Sequence, residues 1–161
     1  MKAVAFVFFT LFPLISQANF FVEVAERNNL HPLVLYGIAQ QESTKPGYGK
    51  PWPWTVNFNG QGMWFESKIE AMEAVDQAFK RGMRNIDIGV MQINMKYHGH
   101  RFKTLNEAFD PATNIQVAAD ILKQFSEDDI RLQIAKYHCP GSSCRKRALA
   151  YANKVFSRLN P

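Results

Sequence analysis

Glu42 stands in Gln41-Glu42-Ser43 at the end of an apolar stretch. Far along the chain, Asp87-Ile88-Gly89-Val90-Met91-Gln92-Ile93-Asn94 supplies a second carboxylate and two carboxamides. A carboxyl group removed from water resists ionisation, and the negative end of a helix dipole adds to that resistance. Such a group stays protonated near neutral pH, so it can act as a general acid and then, its proton gone, as a general base. The plain alternatives are a solvated glutamate at 42 and, at 87, an aspartate bracing a turn before glycine.

Those residues need elements to hold them, and the apolar spacing is mostly helical. Asn19 is a candidate cap for a helix carrying Phe20, Phe21, Val24 and Ala25. Pro32 suits a first-turn position, and a helix from there through Leu33, Tyr36, Gly37 and Ile38 ends at Glu42. Pro46, Gly47, Gly49, Pro51 and Pro53 then prevent its continuation. A hairpin follows, with Trp54–Phe58 and Met63–Phe65 flanking Asn59-Gly60-Gln61-Gly62. Trp52, Trp54, Trp64 and Phe65 there either stack on sugar rings or close the core of a small ribbon. Ser67 and Glu70 make a capping-box pattern ahead of Ile69, Met72, Val75 and Phe79, and Gly82 offers a stop. Ile86, Ile88 and Val90 alternate with Asp87 and Gly89, which predicts a short extended segment leading into a turn.

The chain has 161 residues and a net charge of +5. Lys2 precedes an apolar run from Ala3 to Ile15 that closes on Ser16-Gln17-Ala18, so residues 1–18 read as an export signal, too short for a bilayer span. Residues 19–161 then form one domain, with no linker and no stable membrane span expected after cleavage. The positive balance suits an anionic polymer without naming it, and Arg145-Lys146-Arg147 opens a helix as a solvated face or a groove lining. Cys139 and Cys144 bracket Pro140-Gly141-Ser142-Ser143 and can form a local disulfide in an oxidising compartment. With His138, His98 and His100 they match no compact zinc spacing, so neither a metal site nor a cofactor is expected.

Several segments, in order, resemble one family. Glu42-Ser43 is similar to the catalytic Glu-Ser step, and Gly89-Val90-Met91-Gln92-Ile93 to the Gly-Leu-Met-Gln-Ile segment, of the family 1, soluble-lytic-transglycosylase-like domains of bacterial envelopes. Phe109-Asp110-Pro111-Ala112-Thr113-Asn114-Ile115 resembles that family's Phe-Asp-Pro-x-x-Asn-Ile start of a helix, with Ala118, Ala119 and Leu122 continuing it. Leu132, Ala135 and Tyr137 resemble the Ala-x-Tyr-Asn stretch, and Tyr151-Ala152 with Val155 the closing Tyr-x-x-x-Val helix. The resemblance spans nearly all of 19–161.

It implies a mainly α, α+β domain of lysozyme-like fold with a small β-hairpin insertion, acting on peptidoglycan glycan strands in the periplasm of a Gram-negative cell. Glu42 would protonate the oxygen between N-acetylmuramic acid and N-acetylglucosamine, then deprotonate the muramyl C6 hydroxyl, leaving a 1,6-anhydro end. Tyr137 would place its hydroxyl near Glu42, Gln92 would donate amide contacts to substrate, and Ser43 would steady the helix end or bind. Asn94, a methionine in some members, would contact substrate less securely. The small size and the long interval between Ser43 and Gly89 resemble the transglycosylases of conjugation and type IV secretion systems, whose components would be partners; nucleic acid would not.

The pattern is not uniform. His138-Cys139-Pro140-Gly141 stands where that family commonly has an asparagine and small residues. Asp87 through Asn94 also resembles the Asp-x-Gly-x-x-Gln-Ile-Asn segment of animal-type lysozymes, where the aspartate is the second catalytic carboxylate. That would make the protein a muramidase hydrolase using Glu42 and Asp87. A non-catalytic peptidoglycan-binding scaffold is the reading of a different class.

Overall fold

The computed structural model describes residues 14–159. They form a mixed α+β arrangement, mostly helical, with one four-stranded antiparallel sheet. The expected export signal therefore falls mainly outside the described residues. Helix α1 runs from Leu14 to Arg27 and passes through Asn19 without a break, so Asn19 is an exposed interior position and not the cap expected of it. Ser16-Gln17-Ala18 carry no helix breaker, and one asparagine costs a helix too little to stop it.

Helix α2 spans Pro32–Ser43, opened by His31, whose ring accepts from the Leu33 N–H, and by proline in the first turn. It buries Val34, Leu35, Gly37, Ile38 and Ala39. The last helix, α8 (Arg145–Leu159), lies against α2 and against α7 (Ile130–His138). Gly37 allows that approach: a Cβ there would sit 3.1 Å from the side chains of Val155 and Leu159. Helix α6 (Pro111–Lys123) is capped by Asp110, which accepts from the Thr113 N–H and hydroxyl. It buries Asn114, Ile115, Val117, Ala118, Ala119, Ile121 and Leu122, which makes it the central helix, with α1 packed on it.

Strands β1 (Thr55–Phe58) and β2 (Gln61–Trp64) form the expected hairpin, but on a two-residue loop of Asn59-Gly60. Gln61 and Gly62, expected in the turn, belong to β2. The hairpin is also no isolated insertion. Strand β3 (Ile86–Ile88) pairs with the other edge of β1, and β4 (Ile93–Asn94) with β3, in the order β2-β1-β3-β4. Between hairpin and β3 lies α3 (Lys68–Lys80), capped as expected by the Ser67 hydroxyl; the Glu70 carboxylate accepts from the N–H of Glu66. Short helices α4 (Met95–His98) and α5 (Leu105–Ala108) connect the sheet to α6. No helix among the described residues is long and apolar enough to cross a membrane.

Candidate active site

Three elements of distant sequence meet at Glu42: the end of α2, the turn 89–92 between β3 and β4, and the middle of α8. Ser43 makes the first connection. It is buried, and its hydroxyl reaches the Ala39 carbonyl at 3.1 Å and the Val90 carbonyl at 2.7 Å, tying the last turn of α2 to the 89–92 turn. The Ser43 carbonyl, which the helix leaves without an internal partner, accepts from the Trp52 N–H at 3.0 Å, the Trp64 indole at 3.3 Å and the Thr55 hydroxyl at 3.4 Å. Ser43 is thus a joint holding Glu42 in place, the structural one of its two expected roles.

The turn itself is built on Asn114. Gly89 has φ +81°, and a Cβ there would fall 2.4 Å from Asn114 Nδ2. Into that space the fully buried Asn114 carboxamide donates to the carbonyls of Ile88 and Ala108, and accepts from the Met91 N–H at 2.8 Å. An L side chain at 89 would meet both the left-handed backbone and this amide.

Glu42 Oε1 accepts a 2.5 Å hydrogen bond from the Tyr151 hydroxyl of α8. Burial raises the Glu42 carboxyl pKa from 4.5 to about 7; the bond from Tyr151 opposes that rise and the nearby negative charge of Asp87 adds to it. Asp87, on β3, accepts a 2.6 Å bond from Asn94 Nδ2; burial raises its pKa and the Asn94 amide lowers it. Asn94 also accepts from the N–H groups of Lys96 and Tyr97 as the cap of α4 and donates to Asn85. Its side chain therefore positions Asp87 and starts a helix.

Tyr137 and Gln92 also spend hydrogen-bond donors within the protein. The Tyr137 hydroxyl donates to the Met91 carbonyl at 2.7 Å, and the hydroxyl that reaches Glu42 is that of Tyr151. Tyr137 is still a neighbour: burial, then the charges of Glu42 and Asp87, raise its pKa well above the usual value. Gln92, at φ +50°, directs its amide N–H groups to the carbonyls of Thr55 and Gly89, both at 3.0 Å. Its carboxamide oxygen accepts no hydrogen bond among the described residues.

Tyr151 entered the sequence reading only as part of the closing Tyr-x-x-x-Val resemblance and was given no role of its own. Tyr151, Ala152 and Val155 are all buried, and the tyrosine also carries a hydroxyl. His138 stacks on its ring, centroids 4.4 Å apart and planes 7° from parallel.

In the loop after α2, Tyr48, Trp52 and Trp54 meet edge to face, and Lys45 sits 4.3 Å over the Trp52 ring. The Trp52 indole donates to the Phe65 carbonyl at 2.6 Å. These half-buried rings brace the loop after α2 while the Tyr48 ring stays exposed. Cys139 and Cys144 are joined in the expected disulfide, which consumes both thiols.

No known protein family, curated protein or solved structure matches the chain.

Proposed function

We propose that this protein is an exported lytic transglycosylase of lysozyme-like fold that cleaves the MurNAc-GlcNAc β-1,4 bond of peptidoglycan with Glu42 as its single acid and base. The observation that carries this is the Glu42 carboxyl at the end of α2, bonded by the Tyr151 hydroxyl and removed from water, where burial raises its pKa to about 7 so that protonated and ionised forms coexist at neutral pH. In the protonated form, Oε1 accepts from Tyr151, which leaves the proton on Oε2 for transfer to a glycosidic oxygen. The resulting carboxylate then takes the proton of the muramyl C6 hydroxyl as that oxygen attacks the anomeric carbon. The proton returns Glu42 to its starting state, and no water is consumed. The Tyr151 bond serves both stages, because it holds the carboxylate between the two transfers.

A lysozyme-like fold is supported by a helix ending in the acid, a small antiparallel sheet bearing the second carboxylate, and a buried helix behind the turn that links them. Action beside a secretion or conjugation apparatus, in the periplasm, rests on the sequence resemblance alone.

One observation favours hydrolysis as the second reading: Asp87 is close enough for its charge to raise the Glu42 pKa. A retaining hydrolase needs its carboxyls about 5 Å apart with the second free to attack. Asn94 holds an oxygen of Asp87, which fits a brace better than a nucleophile.

Mass spectrometry of muropeptides released from isolated sacculi separates the readings. The proposal expects 1,6-anhydromuramyl ends from the wild type and none from Glu42→Gln. Reducing ends, abolished by Asp87→Asn, would replace it with the hydrolase. No release by a folded wild-type protein would overturn both.

A further inference from the structure

The hydroxyl of a tyrosine lies on the long axis of its ring, so turning the ring about that axis leaves the oxygen where it is. A swing about the Cα–Cβ bond instead carries the oxygen sideways, and no atom of the side chain is farther from the pivot. The bond from Tyr151 to Glu42 Oε1 therefore depends on what stops that swing. His138, the last residue of α7, lies on one face of the Tyr151 ring with planes only 7° from parallel, so the two rings meet over their faces. Tyr151 is buried and His138 is exposed: a surface ring covers the side chain that holds the acid.

Two features keep His138 in that place and in a suitable state. Its neighbour Cys139 is bridged to Cys144, the residue before α8, so the chain leaving α7 is tied to the helix that carries Tyr151. Arg147 and Lys154 stand four residues before and three after Tyr151, on the same face of α8. Partial burial, then the positive charges of Arg147 and Lys154, lower the His138 pKa, which keeps the imidazole neutral at neutral pH. A neutral ring stacks on the phenol without setting another positive charge near Glu42, where it would favour the ionised carboxylate and drain the acid.

We infer that His138 is a positioning residue for the acid: its ring blocks the swing of Tyr151 and so keeps the Tyr151 hydroxyl on Glu42. The inference rests on the reading of Glu42 as acid and base. His138 acts through Tyr151 and not on the substrate. It stands where the family that the chain resembles commonly has an asparagine, which has no ring to stack, so this use of the position belongs to the present chain.

Carbon-13 at Cζ of tyrosine reads the state of the hydroxyl by NMR, without substrate. In the wild type the Tyr151 resonance should move in a step centred at about pH 7 as Glu42 ionises, and Glu42→Gln should abolish that step. Asp87 and Tyr137, which also face Glu42, and Arg147 and Lys154, which act on His138, are the same in every variant. His138→Ala should flatten the step. His138→Phe keeps a stacked ring, removes the imidazole titration and should retain the step. On sacculi, His138→Ala should lower kcat about tenfold with KM within about twofold, short of the roughly 100-fold that a 1 Å misplacement can cost. His138→Phe should restore most of that loss, and His138→Ala should add nothing in a Tyr151→Phe background, as expected of residues acting on one bond. A full-sized step in His138→Ala, or a kcat loss undiminished in the Tyr151→Phe background, would overturn the inference and leave the cleavage reading standing. A wild type that cleaves nothing would sink the cleavage reading, while the Tyr151 step would still support or overturn the hold of His138 on the bond.

Discussion

Tyr151 and Glu42 are 109 residues apart in the chain and 2.5 Å apart, hydroxyl to carboxyl, in the fold. The bond works against the burial and the Asp87 charge that raise the Glu42 pKa, so the carboxyl settles near 7 as a balance of opposed effects. Removing the Tyr151 bond or the burial moves the acid away from the pH at which it can both give and take a proton.

Tyr151→Phe deletes the opposing effect and keeps the ring that His138 stacks on. The Glu42 pKa should rise above 7, and the basic limb of the kcat/KM profile on sacculi should move to higher pH by about one unit, the change that a lost bond of about 1.5 kcal/mol to a charged group produces. The rate on the limb where the carboxylate must accept the second proton should drop. An unmoved profile would show that Tyr151 only packs.

The same pKa controls stability. Folded Glu42 is protonated up to about pH 7, whereas in the unfolded chain it ionises near the ordinary 4.5. Between those values the native state binds more protons than the unfolded one, so stability is highest below the window, falls as pH rises through it and levels off above it. The full drop is about 3 kcal/mol. Glu42→Gln, which cannot ionise, should lack this slope. Urea midpoints of the two proteins, measured at about pH 5 and about pH 8, should therefore diverge in favour of the variant at the higher pH.

Asn114→Ala should cost about 3–5 kcal/mol, because it leaves the Met91 N–H and the Ile88 and Ala108 carbonyls buried without that partner. Gly89→Ala attacks the same contact from the other side and adds the strain of a side chain at φ +81°. Either variant should lower Tm by tens of degrees or fail to fold, as circular dichroism melts would record.

The Cys139–Cys144 bridge closes a loop with a sequence separation of only 5. Cys139→Ser with Cys144→Ser should therefore reduce stability by about 2 kcal/mol in the loop-entropy account. Because the bridge ties the end of α7 to the turn before α8, the His138–Tyr151 stack should loosen with it. Activity at 25 °C should fall less than activity near the Tm.

What was legible in the sequence was local. Pro32, Ser67 and the Asn59-Gly60 pair each act on neighbours within a few residues, and the helices and hairpin they predict are present. The meeting of Glu42's helix end with the 89–92 turn was foreshadowed by motif order, though the joint itself, the Ser43 hydroxyl on Val90, is a detail of packing. Strands β3 and β4 were missed as sheet members because three and two residues carry too little alternation to announce a partner. The choice between Tyr137 and Tyr151 depends on the rotation of α7 and α8 against α2, which tertiary packing sets and local spacing does not. Gln92 and Asn94 had the right chemistry for a ligand, but the backbone of a tight turn and the carboxylate of Asp87 occupy their donors first.

Helix ends are ordinarily the first backbone to fray as temperature rises. The last carbonyl of α2 is held by three donors from the hairpin and the loop before it, and the Ser43 hydroxyl fastens the same turn to the far side of the sheet. The acid therefore stands on a terminus that cannot open ahead of the rest of the molecule. Warming should leave its geometry intact until the fold itself gives way, so that heat inactivation and loss of helical ellipticity trace one curve.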